Sequence, residues 1–136
     1  EQHLAGMWAF AIHDRRRGRL VLSRDRFGIK PLFVARGEGR VAFASELGCF
    51  DPLRGAEGFG PTFRLRPDAA HAMLAWSYVP GLATPYEGVQ RLAPGTRCEV
   101  DLTTGEERHV THYRPVPSAA AASVTSMDEA VAMVEE

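Results

Sequence analysis

A short charged stretch at residues 24–32, Arg-Asp-Arg-Phe-Gly-Ile-Lys-Pro-Leu, does most to limit how this chain can fold. Gly28 can adopt positive φ at low cost, and Pro31 has no N–H to donate to a β-ladder, so Pro31 is expected at the first residue of a strand. Apolar runs precede the stretch at 20–22 and follow it at 32–35. The pattern therefore predicts a loop that connects two β-hairpins.

Runs of apolar residues separated by polar or glycine-containing turns predict three antiparallel hairpins. The strand at 6–12 carries small or apolar residues on both faces, so we expect it to be covered on both sides. The predicted hairpins are 6–12 with 19–23, 32–35 with 41–44, and 96–102 with 108–113.

The rest of the chain predicts one helix, two loops and a second short helix. Pro67 and Asp68 suit the first turn of a helix that ends before Pro80. Its apolar face is expected to hold Ala70, Met73, Leu74, Ser77 and Tyr78. Residues 51–65 and 86–94 are predicted to be a loop and a connector, and the Ala- and Ser-rich residues 118–123 a linker. Ser126 and Glu129 form a capping box, which predicts a final helix that includes Met127, Ala130, Val131 and Val134.

Composition bounds the class of protein. With 136 residues, 45% hydrophobic and 24% charged, the chain suits one modest globular domain. No apolar run approaches the roughly 20 residues of a membrane-spanning helix. The basic run at 15–19 favours a solvated hairpin tip over a nucleic-acid patch, because no aromatic residue is interleaved for base stacking. The two cysteines are too few for a disulfide framework, which favours a reducing, cytoplasmic compartment.

The histidines and cysteines give no recognisable catalytic or metal signature by spacing. His13 is expected at a solvated turn and His71 on a helix surface. His109 and His112, three apart on a strand, should point to opposite faces and make a poor metal pair. Cys49 is expected to be a small packed residue rather than a nucleophile, because no base or cation stands beside it. Cys98, within a predicted strand, is a weaker candidate still. From the residues alone, the chain is an α+β domain without an identifiable active site.

Several segments in one order resemble the glutaminase domain of the glutamine-hydrolysing asparagine synthetases, a class II glutamine amidotransferase. The resemblance covers residues 1–115 and extends weakly to 136. The later Pro-Tyr-Glu-Gly-Val segment at 85–89 is most similar to that family, since related amidotransferases share only parts of the central loop. The matching segments are 4–11 (Leu-Ala-Gly-Met-Trp-Ala-Phe-Ala), 24–32, 43–46 (Phe-Ala-Ser-Glu), 78–80 (Tyr-Val-Pro), 84–89 (Thr-Pro-Tyr-Glu-Gly-Val), 94–95 (Pro-Gly) and 113–115 (Tyr-Arg-Pro).

The resemblance implies an α+β fold with antiparallel sheets and flanking helices, part of an αββα N-terminal-nucleophile hydrolase sandwich. It implies that 1–115 is the C-terminal part of a class II glutaminase domain, and that 116–136 is a linker with the first helix of a synthetase domain. The family's nucleophile is an amino-terminal Cys that forms a glutamyl thioester and releases ammonia. Glu1 stands first here, so no catalytic or glutamine-binding residue is expected in this chain, and the isolated chain is predicted to be inactive.

For the whole enzyme, the resemblance implies glutamine and aspartate as substrates, with ATP and Mg²⁺ used by a separate synthetase domain. No cofactor or metal is expected on this chain, and no nucleic acid or membrane as partner. Three alternatives stay open: a related ATP-dependent amide-forming cyclase, a sugar amidotransferase, and a degenerate, non-catalytic interaction module. The last would need its exposed strand edges covered by a partner.

Two further expectations concern particular residues. In the family's architecture, Met7 would lie on a central strand near the nucleophile, where a flexible thioether could line the passage through which ammonia leaves. Plain core packing is the competing interpretation. Arg24, Asp25, Arg26 and Gly28 are expected to be structural, with the charged residues fixing the loop by mutual ion pairs and backbone hydrogen bonds rather than contacting substrate.

Overall fold

The computed structural model describes residues 1, 3–59, 63–115, 125–128 and 131. Short alternating runs form the strands, and Pro67 at the first turn starts the α-helix, as its fixed φ favours. The elements of the described ranges are β1 (Ala9–Asp14), β2 (Arg19–Arg24), β3 (Phe33–Gly37), β4 (Arg40–Ala44), a 3₁₀ helix (Leu47–Leu53), α1 (Pro67–Trp76), β5 (Val89–Arg91), β6 (Thr96–Asp101) and β7 (Glu107–Thr111).

The strands form two antiparallel sheets. One has the order β1-β2-β6-β7, and the other has the order β4-β3-β5. All three predicted hairpins are present, as β1–β2, β3–β4 and β6–β7. The first two hairpins belong to different sheets, and the loop at 24–32 carries the chain from one sheet to the other. The predicted α+β class is confirmed, and the paired sheets are consistent with part of an N-terminal-nucleophile hydrolase sandwich.

The main core lies between the two sheets. Leu22 of β2 and Cys98 of β6 are fully buried against Val34 of β3, so one face of each sheet contributes. The opposite face of β3 carries Phe33 and Ala35, which pack on a second apolar cluster. That second cluster is completed by Phe50, Phe59, Phe63 and Val89. The central strand of the second sheet, β3, is therefore buried on both faces.

The prediction that the first strand is covered on both sides is wrong. The strand begins at Ala9 rather than Gly6 and lies at the edge of its sheet. Ile12 pairs with Val21, on the face opposite Leu20 and Leu22, and its side chain is 53% exposed. Small and apolar residues on both faces of a strand therefore did not indicate burial here, because the outer face of this sheet is open.

The predicted helix exists, but its apolar face was assigned wrongly. Within α1 the buried residue is Ala69, whereas Met73 and Leu74 are exposed, Leu74 by 90%. Because α1 packs through the small Ala69, its larger side chains point to solvent. His71 is exposed, as predicted. The helix ends at Trp76 and is capped by Ser77, which adopts the left-handed conformation with φ 62°.

The two segments predicted to be irregular both contain regular structure. Part of 51–65 belongs to the 3₁₀ helix, and Phe59 and Phe63 are buried because their rings cover the second sheet. The predicted connector at 86–94 contains β5, which pairs with β3. Thr84, fully buried, donates a hydrogen bond to the Val89 carbonyl over 2.7 Å and holds the start of β5 in place. A three-residue strand is too short to show a period.

Two remaining expectations concern single residues and the C-terminal part. Cys49 was expected to be packed but is exposed, because the 3₁₀ helix that carries it lies on the surface.

Met127, Asp128 and Val131 are helical, as predicted. The expected linker at 118–123 and the capping-box residue Glu129 lie outside the described residues. In the part of the chain that the structure describes, no helix has the length and apolar character needed to cross a bilayer.

Candidate functional site

The loop after β2 is organised by a buried arginine. Arg24 is 8% exposed, and its guanidinium donates hydrogen bonds to three carbonyl oxygens: Nε to Lys30 at 2.8 Å, Nη1 to Leu92 at 2.6 Å and Nη2 to Gly28 at 2.5 Å. The fork of N–H donors in a guanidinium suits several carbonyls at once. Arg24 therefore joins the middle of its own loop to the chain segment that follows β5.

Asp25 satisfies the donors of the same loop. Its side chain is fully buried, and Oδ1 accepts hydrogen bonds from the N–H groups of Phe27 and Ile29 at 3.1 and 3.0 Å. Oδ2 accepts one from the Lys30 N–H at 2.9 Å. Burial would raise the pKa of Asp25, but these bonds and one from the Trp8 N–H outweigh it and leave the pKa below 3.8. The carboxylate is thus held ionised as an acceptor for backbone groups.

Gly28 lies where the loop comes closest to Arg24. Its φ is +66°, and a Cβ placed on it would lie 2.9 Å from Cζ of Arg24 and 2.9 Å from Cγ of Pro94. Only glycine fits that conformation and that space. Glycine at this position therefore lets the loop approach the Arg24 guanidinium and Pro94 closely.

Backbone acceptors and donors, rather than partners within the triplet, hold Arg24 and Asp25. Among the described residues, no ion pair within 4.0 Å links Arg24, Asp25 and Arg26 to one another. Burial lowers the pKa of Arg24 from its ordinary value, and the charge of Asp25 partly offsets that effect. Arg26 is exposed, with its Cζ 5.5 Å from the centroid of the Tyr113 ring. The structural role predicted for these residues stays a prediction.

The loop presents an apolar surface to solvent. Phe27 and Ile29 are 64% and 57% exposed, and the Phe27 ring meets the Tyr113 ring edge to face at 5.5 Å. A cavity of about 390 Å³ lies beside Gly28 and is also lined by Tyr78 and Leu82. A rigid backbone with exposed apolar side chains suits a surface against which a larger structure packs.

The start of β1 is tied to the same loop. The Trp8 carbonyl accepts a hydrogen bond from the Asp25 N–H at 2.9 Å, and the Trp8 ring stacks on the His112 ring with centroids 6.0 Å apart. Nε2 of His112 lies 3.1 Å from the Arg24 carbonyl oxygen. The segments similar to asparagine synthetases at 4–11, 24–32 and 113–115 therefore converge here, although they are far apart in sequence.

Met7 lies at the edge of this region. It precedes the first residue of β1, and its side chain is 55% exposed. The structure therefore differs from both expectations for its surroundings, since Met7 is neither on a central strand nor packed in the core. Its proposed part in an ammonia passage stays a prediction.

A second group of polar side chains was missed by the sequence analysis. Sγ of Cys98 lies 3.7 Å from Oε2 of Glu107 and 3.7 Å from Nε2 of His109, and those two atoms are 3.3 Å apart. Arg36 of β3 donates from Nε and Nη2 to both oxygens of Glu107, at 2.5 and 2.7 Å. The turn between Asp101 and Glu106 places Cys98 opposite His109, so the predicted third hairpin gave this pairing to within one residue. Spacing along one strand relates His109 only to His112, whereas Cys98 lies across the hairpin.

The protonation of this group follows from its surroundings. Hydrogen bonding from Arg36 lowers the pKa of Glu107 in spite of partial burial. Burial, with the nearby Glu107 charge, raises the pKa of the Cys98 thiol to about 11. Cys98 is therefore a protonated thiol at neutral pH and is not an activated nucleophile.

Comparison with known proteins agrees with the pattern of the loop. The family model described as a glutamine amidotransferase domain matches residues 1–113. A protein of Mycobacterium tuberculosis strain H37Rv, provisionally named a glutamine-hydrolysing asparagine synthetase, is 36% identical over 141 residues, covering 99% of this chain and 21% of the relative. Asparagine synthetase 2 of Bacillus subtilis strain 168, also named glutamine-hydrolysing, is 27% identical, with 81% of this chain and 15% of the relative covered. The amidase chry2 of Gibberella zeae is 28% identical, with 98% and 19% covered.

The chain spans about a fifth of the length of these relatives, or less. The family match covers every element from β1 to β7, including the loop that Arg24 and Asp25 hold. By this match over most of its length, the chain belongs to the glutamine amidotransferase domain family.

Proposed function

We propose that this chain is part of the glutaminase domain of a glutamine-dependent asparagine synthetase and that it supplies scaffold without the nucleophile. The whole enzyme would convert ATP, aspartate and glutamine to asparagine, glutamate, AMP and pyrophosphate. The family match over 1–113, together with relatives named asparagine synthetases, carries the proposal. In this assignment 1–115 belongs to the glutaminase domain, and 116–136 begins the next domain.

The test of the reaction uses the full-length protein with ATP, Mg²⁺, aspartate and glutamine. We expect asparagine, glutamate and AMP to form in equal amounts. A protein that forms an amide of another acceptor, with aspartate ignored, would instead support the amide-forming cyclase or the sugar amidotransferase. The named amidase among the relatives is the reason to include other acceptors in the assay.

The isolated 136-residue chain is proposed to be inactive towards glutamine. Thiol catalysis needs an accessible thiolate with a base close by. Cys98 is fully buried and its pKa is raised to about 11, and Cys49 lies on a surface 3₁₀ helix. Ammonia release from glutamine that disappears on thiol alkylation would contradict this assignment.

The ammonia-passage hypothesis for Met7 rests on the proposed reaction. An exposed thioether beside the joined segments can line a conduit once a further part of the protein covers it. In the full-length enzyme, Met7→Glu should raise the amount of glutamate formed per asparagine, because a charged side chain hydrates and obstructs an apolar passage. Met7→Leu is the matched control and should keep the ratio near one. An unchanged ratio in Met7→Glu, with asparagine formation from added ammonia also unchanged, would remove the hypothesis.

The non-catalytic alternative predicts a different assay result for the full-length protein. A degenerate interaction module would bind a partner without consuming glutamine or ATP. The edge strand β1, with an exposed outer face, is the feature that favours this alternative. Formation of glutamate by the full-length protein, abolished by removal of its amino-terminal thiol, would rule it out.

A further inference from the structure

We propose that Cys98, Glu107 and His109 form a binding site for a divalent transition-metal ion, and that Zn²⁺ is the ion their chemistry fits. The site lies on the β6–β7 hairpin and shares no residue with the loop at 24–32. Metal binding at this site does not depend on whether the chain takes part in the proposed reaction. A thiolate, an imidazole and a carboxylate together are a donor set that suits zinc.

The distances fit one ion bound by all three side chains. Zinc bonds of about 2.3 Å to sulfur and about 2.0–2.2 Å to nitrogen and oxygen place tetrahedral ligands about 3.4–3.6 Å apart. The three donor atoms here are separated by 3.7, 3.7 and 3.3 Å. Small rotations of the side chains bring the atoms to the required spacing.

The same distances argue against a catalytic triad of these residues. In a triad, the two ring nitrogens of the histidine contact different partners, one the nucleophile and the other the carboxylate. Here one nitrogen, Nε2 of His109, faces both Sγ of Cys98 and Oε2 of Glu107. Three donors directed at a common point describe a ligand set rather than a proton relay.

The backbone holds the three side chains together. Cys98 and His109 are direct partners in the antiparallel ladder, and Glu107 lies two residues before His109 on the same face. Arg36 fixes the Glu107 carboxylate by a bidentate contact. Nη2 of Arg36 also donates to Oε2 of Glu107, which makes that oxygen a weaker metal ligand. We therefore expect weaker Zn²⁺ binding than at a closed structural zinc site.

Solvent can supply a fourth ligand, because the His109 side chain is half exposed. Three protein ligands and a water complete a tetrahedral ion.

Binding changes the protonation of one group. The S–H bond of Cys98 breaks, its proton passes to solvent, and the sulfur electron pair forms the bond to the metal. Glu107 is already ionised, and Nε2 of His109 donates a lone pair. Affinity should therefore rise with pH, because the thiol must lose its proton to bind the ion.

The test titrates the full chain, stripped of metal by a chelator, with Zn²⁺ by calorimetry and with Co²⁺ by absorption spectroscopy. His109→Gln and Cys98→Ser should each weaken Zn²⁺ binding by at least about tenfold. The thiolate-to-cobalt charge-transfer band should be present in the parent and absent from Cys98→Ser. His71→Gln and Cys49→Ser are matched controls at exposed positions and should bind as the parent does.

His109→Gln keeps the proposal testable if Cys98→Ser fails to fold, because His109 is half exposed while Cys98 is fully buried. Zn²⁺ should raise the melting temperature of the parent and leave that of His109→Gln unchanged. Equal Zn²⁺ affinity in the parent and His109→Gln, or a cobalt spectrum in which that histidine variant matches the parent, would overturn the proposal.

Discussion

At the scale of single residues, a comparison of Gly28 with Gly39 separates two reasons why a position requires glycine: a positive φ and the lack of space for a Cβ. Gly28 and Gly39 both have positive φ, at +66° and +63°, but a Cβ at Gly39 would meet nothing within 4 Å. Gly39→Ala should therefore cost about 1 kcal/mol of unfolding free energy from backbone strain alone. Gly28→Ala should cost about 1–3 kcal/mol more, because its Cβ also meets Arg24 and Pro94. Urea unfolding of both variants measures the difference, and equal losses would show that Arg24 moves aside freely.

Asp25 is expected to contribute more than a similar aspartate at a surface turn. Asp25→Asn replaces an acceptor of three loop N–H groups with an amide that has one oxygen, and should cost about 1–3 kcal/mol of unfolding free energy. Asp101 makes a comparable pair of bonds, to the N–H groups of Thr103 and Thr104, at an exposed hairpin tip. Asp101→Asn is therefore the control and should lose much less, because water replaces its bonds. Equal losses in chemical denaturation would contradict a special role for burial.

Residue types predicted backbone conformation better than they predicted burial. Gly28 marked the loop correctly because its backbone limits are local, whereas Pro31 lies two residues before β3 and not at its first residue as predicted. Met7 and Cys49 were placed in packed surroundings but are exposed, since burial depends on which elements lie above them. The burial of Arg24 had no signal in its type, as arginine is rarely buried.

At the scale of elements, one ion pair joins the two sheets. Arg36 of β3 and Glu107 of β7 are in different sheets and are both mostly shielded from solvent. In metal-free protein, Glu107→Gln should lower the free energy of unfolding by about 1 kcal/mol, after allowance for partial exposure. Glu106→Gln, at the neighbouring exposed position, is the control.

The same pair predicts a pH dependence. The pKa of Glu107 is lowered from 4.5 in the folded chain, so its stabilising contribution is complete above that value and is lost as pH falls through the lower folded pKa. The difference in unfolding free energy between the parent and Glu107→Gln should therefore still be present at about pH 5. It should shrink in more acidic solution, as followed by denaturation at a series of pH values. A difference that grows below about pH 5 would contradict the assignment.

Elements were predictable where a period had room to appear. The hairpin strands β1–β4, β6 and β7 have five or six residues each, which is enough for turns and apolar runs to define them. β5 has three residues and exists because β3 offers it a free edge. The apolar face of α1 was mispredicted because a helix docks through whichever residues its neighbours admit, here Ala69.

At the scale of the whole molecule, the boundary proposed at 115 and 116 is open to a direct test. β7 ends at Thr111, and Tyr113 meets Phe27, whereas Met127 beyond the boundary is 78% exposed. A chain ending at Pro115 should therefore melt within a degree or two of the 136-residue chain, since the apolar side chains described in the removed part, Met127 and Val131, bury little area. Thermal unfolding followed by circular dichroism measures this. A loss of several degrees would place part of 116–136 in the first domain.

The sequence by itself determined the local structure, which comprises three hairpins, one helix beginning at Pro67 and a loop at 24–32. Together with the other matching segments, that loop indicates the amidotransferase family. Those features depend on backbone preferences and on periods of two or 3.6 residues, which act over a few neighbours. Only the tertiary structure decided that the first two hairpins enter different sheets, that Arg24 reaches the Leu92 carbonyl, and that Cys98 meets Glu107 and His109. Such contacts join residues distant in the chain, and they form because packing the apolar faces of two sheets fixes which polar groups are buried together.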